Sequence, residues 1–385
     1  MQATDFTEHA HGELIKNLRG DLTYLPKPLP GPLTLDWALT NALNAAERSL
    51  GRLVGVGRTL PNPRIVVQSF IRREAQLSSR IENTYAQLSE LALFDETPAV
   101  EKDAPDVREV HNNESALAYG LTSVQQDGRE IGIPLIKEMH DMLLRGVRGR
   151  DKRRGQFRDV QVFIGRTDRV DEARFVPAPP EQVPGLMEQL EAYLKAPSDL
   201  PTIARAAMTH YQFEAIHPFE DGNGRIGRVL ILLMLSAEGV LPLPLLNPSA
   251  FLEAHRAEYY QHLLDVSQKG TWTDWVKFFT RGIDAAAADA IKRIDRLKQL
   301  QAEYHGKLQT ARSSALLLKL VDELFVSQAI TTNRAAKVLG VTYVAAQSNV
   351  DKLVAAGILR EVTGRQRNKV YLAEGIINAV KGGDD

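Results

Sequence analysis

Apolar residues recur at the three- and four-residue spacing of an amphipathic helix through most of this 385-residue chain. The pattern predicts a helix over "LDWALTNALNAAERSLGRL", with Thr34 as its N-cap, and two more between Arg64 and about Phe94. "LPKPLPGPL" at Leu25–Leu33 is too rich in proline for either regular element and predicts an arm running extended over a surface. "LPNP" at Leu60–Pro63 breaks the chain again. From about Asp106 to Gly282 the spacing is mostly helical. Within it, "PTIARAAMTHYQFEAI" (Pro201–Ile216) is amphipathic, whereas "RIGRVLILLMLSAEG" (Arg225–Gly239) is apolar on nearly every face. The second predicts a buried central helix with Gly239 as its C-cap. One insert departs from the rule. "GQFRDVQVFIGRTDRVDEARFVPAPP" (Gly155–Pro180) alternates apolar and polar residues around a Gly/Asp-containing centre and predicts a β-hairpin or extended flap.

The expected class is mainly α, with a β-hairpin flap and a small separate C-terminal domain. Expected boundaries are 1–105 for an N-terminal helical region, 106–283 for the core, 284–312 for a charged helical connector and 313–385 for the last domain. A hydrophobic content of 44% supports real cores over that length. The formal charge of −1 carries no sign of a surface built for nucleic acid or acidic membranes. Cysteine is absent, which excludes disulfides, thiolate zinc sites and cysteine nucleophiles. The first residues, "MQATDFTEHAHGELIK", lack the basic start and apolar core of a signal peptide. "VLILLML" at Val229–Leu235 falls far short of the roughly 20 residues that span a bilayer. A soluble, cytoplasmic protein without membrane contact is expected.

The candidate chemistry lies in "HPFEDGNGRIGR", His217–Arg228, between the amphipathic helix and the buried one. A loop that opens a helix points free N–H groups, and the positive end of the helix dipole, at whatever lies in front of it. Gly222 and Gly224 let backbone approach a phosphate, and Asn223 adds an amide donor. Arg225 and Arg228 share the opening turn and can reach one polyphosphate. Asp221 offers a hard oxygen to Mg²⁺, which binds through one or two carboxylates beside nucleotide phosphates. His217 can titrate near neutral pH and suits a general base acting on a hydroxyl. Each piece has a plain alternative: a GNG stretch is commonly a turn, a histidine at a helix end commonly a cap. His217 and Asp221 also suit an i,i+4 metal pair without catalysis. The whole constellation followed by a buried helix favours a nucleotide-phosphate transfer site.

The stretch resembles the Fic family signature H-P-F-x-D/E-G-N-G-R-x-x-R at every specified position. "RREAQLSSRIENT" (Arg72–Thr84) is similar to that family's N-terminal inhibitory-helix region, Gly155–Pro180 to its target-docking flap, and Phe251–Phe279 to the helices closing its nucleotide pocket. The resemblance implies a Fic-type helical core and transfer of AMP from ATP, with Mg²⁺, to a hydroxyl side chain (Ser, Thr or Tyr) of a target protein. It implies His217 as base, Asp221 as metal ligand, and Asn223 with the loop N–H groups of Gly222 and Gly224 at the α-phosphate. Arg225 would meet the leaving phosphates and Arg228 the γ-phosphate. Glycine at 224 favours AMP transfer, since relatives that phosphorylate their targets tend to carry lysine there. Val162, Phe163, Ile164 and Gly165 would pair as an edge strand with the target. Of Tyr259 and Tyr260, the second is the one expected to line the adenine side. A homodimer is expected by resemblance.

Ser78 and Glu82 are four apart and can face the same side of a helix. By itself that reads as an exposed helix acid. The run matches the family's S/T-x-x-x-E-G/N inhibitory motif, with Asn83 the less common of two allowed residues. The resemblance implies a Glu82–Arg228 ion pair that takes the arginine the γ-phosphate needs. In some relatives the same glutamate helps remove AMP from modified targets, and that alternative stays open. "TTNRAAKVLGVTYVAAQSNVDKLVAAGILREVTGRQRNKVYLA" (Thr331–Ala373) resembles a winged helix-turn-helix, with a turn at Gly340 and a wing around "TGRQRN". DNA contact would draw on Thr342–Asn349, Arg360, Arg365, Arg367 and Lys369, but the second helix carries one cation, Lys352. A protein-interaction or dimer module is the favoured reading of this domain. The rival for the whole chain is a DNA-binding regulator that uses the core as a nucleotide sensor.

Overall fold

The computed structural model describes residues 1–97, 104–147, 152–165, 172–308, 315–365 and 367–382. The chain is mainly helical, as the periodicity predicts. It opens with an antiparallel hairpin, β1 (Gly12–Lys16) and β2 (Leu22–Pro26), in which Leu14 faces Tyr24. Sequence reading predicts no element before its extended arm at Leu25–Leu33, which overlaps only the end of β2. The hairpin is held from outside its own sequence: the Tyr24 N–H donates to the Val176 carbonyl at 2.8 Å. Its hydroxyl joins a buried chain to Tyr211 (3.1 Å) and on to Ser267 (2.9 Å).

Helix α1 (Trp37–Arg58) is capped by Asp36, whose carboxylate accepts the Leu39 N–H at 2.7 Å; Thr34, the expected cap, lies outside the helix. The Arg64–Phe94 stretch forms two helices, α2 (Arg64–Ile81) and α3 (Leu88–Glu96). They are followed by α4 (Pro105–Gln125), α5 (Ile133–Leu143) and α6 (Val183–Lys195). Then come α7 (Thr202–Ile216) and α8 (Asn223–Ala237), the pair that brackets the motif. Helix α8 is the centre of the core, packed against α7 and α4. Ile226, Leu230, Leu233 and Leu235 on it are fully buried, each stabilising the fold by about 1.5–3 kcal/mol relative to exposure. Gly239 adopts φ 71° just past the helix end, as a C-terminal stop requires.

Helices α9 (Pro248–Ala254), α10 (Arg256–Lys269) and α11 (Trp272–Leu308) follow. Helix α11 runs unbroken across the expected boundary at 283–284. Its Ala287, Ala290, Ile294 and Leu297 are buried, so the charged stretch expected as a connector has an apolar stripe of its own. The C-terminal part holds α12 (Ala315–Val326), β3 (Ala329–Thr331), α13 (Thr332–Leu339) and α14 (Tyr343–Ala355). After these come β4 (Arg360–Glu361), β5 (Val370–Leu372) and α15 (Glu374–Lys381). The strands pair antiparallel in the order β3-β5-β4. Gly340, at φ 69°, makes the turn between α13 and α14.

One helix matters most for the site. Buried along nearly its whole length, α2 carries charged groups that meet partners on distant elements. Arg72 meets Asp95 at 2.5 Å and Glu114 at 3.0 Å, and donates to Gln328 of the C-terminal part at 3.2 Å. Ser249 Oγ donates to Glu74 at 2.5 Å. Buried polar groups satisfied this way fix the register of the helix, because a shift would strand them without partners. The register decides where Glu82, the C-cap of α2, comes to rest.

Candidate active site

His217 terminates α7 in the left-handed region, φ 51° and ψ 60°, with its N–H bonded to the Phe213 carbonyl at 3.0 Å. A non-glycine residue there is strained, and such strain collects at functional positions. The His217 Nδ1 lies 3.3 Å from the Glu214 carbonyl, which can only accept, so Nδ1 carries the proton and Nε2 keeps its lone pair. Burial, and secondly the Arg158 charge, bring the imidazole pKa down from 6.5 to about 4. The ring is neutral at physiological pH. It can accept a proton.

The loop then returns through Gly222, at φ 80°, into α8. Asn223 departs from expectation. Its Oδ1 accepts the Phe219 N–H at 2.8 Å and its Nδ2 donates to the Phe219 carbonyl at 2.9 Å, so the amide braces the loop from inside. An anion in front of the loop would be met by the first-turn N–H groups of α8, which have no partner within the helix. Asp221 spends Oδ1 on the Gly222 N–H (2.6 Å) and Arg225 (3.3 Å). Its Oδ2 has no bond among the described residues, and the side chain is 39% exposed. That suits a cation held jointly by one carboxylate oxygen and a nucleotide's phosphates. No cluster of three or more His, Asp or Glu able to hold a metal alone occurs among the described residues.

Both arginines are buried. Arg225 reaches Glu109 at 3.4 Å as well as Asp221. Arg228 donates Nε to Ser78 Oγ (2.9 Å) and Nη2 to the Ser78 carbonyl (2.8 Å) and Glu82 Oε1 (2.8 Å). The two residues that α-helical spacing placed on one side do meet on one arginine. Burial works to raise the Glu82 pKa, but Arg228, with Arg225 and His217, outweighs it and holds the carboxyl below its ordinary value. Arg228 Nη1 is buried without a partner among the described residues. A Cβ at Gly224 would lie 2.9 Å from that nitrogen and 2.2 Å from Glu82 Oε1. Glycine at 224 is what lets the glutamate sit on the first turn of α8.

Comparison with known proteins places part of the chain in a family. A Fic/DOC family model matches residues 131–235, and a Fic/DOC family N-terminal model matches residues 40–122. The chain carries a Fic/DOC family domain with its N-terminal region. It is similar to the protein adenylyltransferase fic-1 of Caenorhabditis elegans, 32% identical over 190 residues, covering 48% of this chain and 34% of the relative. A Nematostella vectensis protein adenylyltransferase Fic is 27% identical over 226 residues, 58% of this chain and 49% of that one. The matches thus span about a third to a half of these relatives' lengths. The crystal structure of a Fic family protein from Desulfovibrio desulfuricans G20 superposes with a TM-score of 0.57 at 21% identity, covering 90% of this chain and 98% of that one.

Two residues of the Fic/DOC domain escaped sequence reading. His140 on α5 stacks on Phe219 with centroids 3.7 Å apart. Its Nδ1 accepts the Gly155 N–H at 2.9 Å, which leaves Nε2 to donate to the Asp221 carbonyl at 2.9 Å. The ring therefore ties the flap entry to the motif loop. A lone histidine among Ile136, Met139 and Leu143 on a buried face was the available signal. Arg158, the second, sat in an alternating stretch where an arginine reads as solvated. In the Fic/DOC domain the flap is barely a hairpin. Among the described residues it pairs through one bridge, Ile164 opposite Phe175; its centre, 166–171, lies outside them. The alternate positions Phe163 and Gly165 make no backbone bond among the described residues, leaving that edge open. Tyr259 is fully buried and bonded to His210 at 2.8 Å, whereas Tyr260 is half-buried beside Arg256.

Proposed function

We propose that this chain transfers AMP from ATP to a hydroxyl side chain of a target protein, releasing pyrophosphate, and that Glu82 restrains it. The observation that carries the reading is a histidine held in a left-handed turn just before the N-terminus of α8, whose opening turns carry two buried arginines. His217 would take the proton of the target hydroxyl, whose oxygen attacks the α-phosphorus while pyrophosphate leaves. Arg225, Arg228 and the first-turn N–H groups of α8 would stabilise the charge that develops, the main source of catalysis in such reactions. Mg²⁺, when bound at Asp221, would neutralise phosphate charge. Val162–Gly165 would receive an extended target segment by strand addition. Tyr260 is the tyrosine open to an adenine. Support for the transfer activity also comes from the adenylyltransferase names of the relatives.

The test is labelling of lysate protein with α-³²P-ATP and Mg²⁺ against γ-³²P-ATP. Label from the α-position alone fits AMP transfer, and label from the γ-position alone would mean phosphorylation. Acidity offers a second check. The His217 pKa is held down at about 4 and loses the upward pull of Glu82 in the Glu82→Gly variant, so transfer by that variant should stay level from pH 8 to about pH 5 and fall only at about 4 or below, where the base becomes protonated. A midpoint near 6.5 would contradict a buried neutral base.

A second reading, hydrolytic removal of AMP, is favoured by one observation. Glu82 is ionised, a third exposed and close enough to His217 to influence its charge. It could orient a water. On that reading Glu82→Gly loses removal of AMP from pre-labelled protein while gaining transfer. The α13–Gly340–α14 turn beside a three-stranded antiparallel sheet supports a winged-helix reading of the C-terminal part, and a shift assay across salt concentrations tests DNA as its ligand.

A further inference from the structure

We propose that Arg158 is the positioning residue that joins the docking flap to the proposed base. The inference rests on the reading of His217 as that base.

The residue is 2% exposed, yet makes no ion pair among the described residues. A buried guanidinium with no carboxylate in contact is unusual, because desolvation disfavours its charge and only the Glu181 charge, beyond contact, favours it. Burial accordingly brings its pKa down to about 10. All its side-chain bonds go to backbone carbonyls. Nε donates to His217 at 2.8 Å, Nη1 to Val160 at 3.2 Å, and Nη2 to Ala178 at 2.6 Å and Ile216 at 3.4 Å. The Arg158 N–H adds a fifth bond, to the Pro218 carbonyl at 2.9 Å.

These five acceptors belong to three segments. Ile216, His217 and Pro218 form the turn that ends α7. Val160 lies just before the Val162–Gly165 edge, and Ala178 on its return. One rigid plane therefore spans the root of the flap and the left-handed turn that aims the imidazole. His217 lacks glycine's freedom, and beyond its N–H bond to the Phe213 carbonyl no helix ladder continues to hold the turn at φ 51°; the carbonyls around it are held by Arg158. The fork of five N–H donors suits this task, and a lysine ammonium with three donors on a flexible stem cannot span the same set. What the arrangement supplies is a fixed distance between a segment docked on the flap and the atom that removes its proton. Misplacement by about 1 Å costs on the order of 100-fold in rate.

The test uses the full chain in the Glu82→Gly background, with Arg158→Gln and Arg158→Lys added separately. Labelling of lysate protein is followed at varied ATP, giving a limiting rate and a KM for ATP. The imidazole signals of ¹³C-histidine-labelled protein are recorded, with that of His217 assigned by its loss in His217→Ala. Arg158→Gln is expected to lower the limiting rate about 100-fold, leave the KM for ATP within about twofold, and move the His217 signal. Arg158→Lys should shift both in the same direction by less. A KM for ATP that worsens along with the rate would mean general damage and overturn the proposal, as would an unmoved His217 signal at parental rate. Should Arg158→Gln fail to fold, Arg158→Lys decides by the same criteria. Should the Glu82→Gly parent label nothing, the AMP-transfer reading falls. The His217 signal then still judges Arg158, supporting the coupling if it moves while bound ATP is retained and overturning it if it does not.

Discussion

Labelling of protein from α-³²P-ATP is expected to fall about 10²–10⁴-fold when His217 is replaced by alanine, the range a positioned general base contributes. The reason lies in how the imidazole is held. Its Nδ1 proton goes to the Glu214 carbonyl, and burial keeps the ring unprotonated, so Nε2 is ready to accept at neutral pH. Alanine removes that acceptor and, of the loop's supports, only the long bond to the Glu214 carbonyl. Asn223 still clasps both backbone groups of Phe219, and His140 still holds the Asp221 carbonyl. Circular dichroism and the urea midpoint should therefore match the parent. A folded His217→Ala protein that labels at the parental rate would remove the base from the mechanism.

Replacing Glu82 by glycine should act in the other direction, raising labelling about 5–150-fold, the ordinary span of a coupling free energy between two sites. Glu82 and a γ-phosphate would compete for Arg228, and the charge-assisted bond at 2.8 Å must break before the arginine can turn to the nucleotide. Removing one partner of a buried ion pair is commonly destabilising, because the other charge is left without compensation. Here Arg228 keeps its bonds to Ser78 Oγ and the Ser78 carbonyl, so the side chain stays in place without the glutamate. Glu214 can also take up part of the compensation. Its pKa stands near 8, mainly from burial and partly from repulsion by Glu82, and loss of Glu82 lowers it. The variant should fold, bind ATP more tightly by calorimetry and label faster. Equal rates in parent and variant would strip Glu82 of its restraining role.

The pair Ser78 and Glu82 was legible because helical spacing alone places them together, and the buried character of α8 was legible because its apolar residues cover every face. The two arginines on one turn follow from an equally local rule. The destination of a side chain is a different matter. Asn223 was expected to face a phosphate, as an amide in a loop readily does, but its two ends match the two backbone groups of Phe219. Only the folded loop shows that this demand is met first. Thr34 lost the cap of α1 to Asp36, two residues on and the stronger capping type.

Nothing local marks the β1–β2 hairpin, whose support comes from Val176 and Tyr211, more than 150 residues away along the chain. Arg158 belongs to the same class. Its partners are carbonyls, which every residue has, so no pattern of side chains could announce them. The division follows from the range of the forces. Spacing, caps and backbone freedom act within a few residues and are written in the order of the chain. The meeting of Glu82 with Arg228, and of Arg158 with the turn at His217, depends on helices packed from distant segments, and burial in that packing is what would turn ordinary side chains into the proposed base and its proposed restraint.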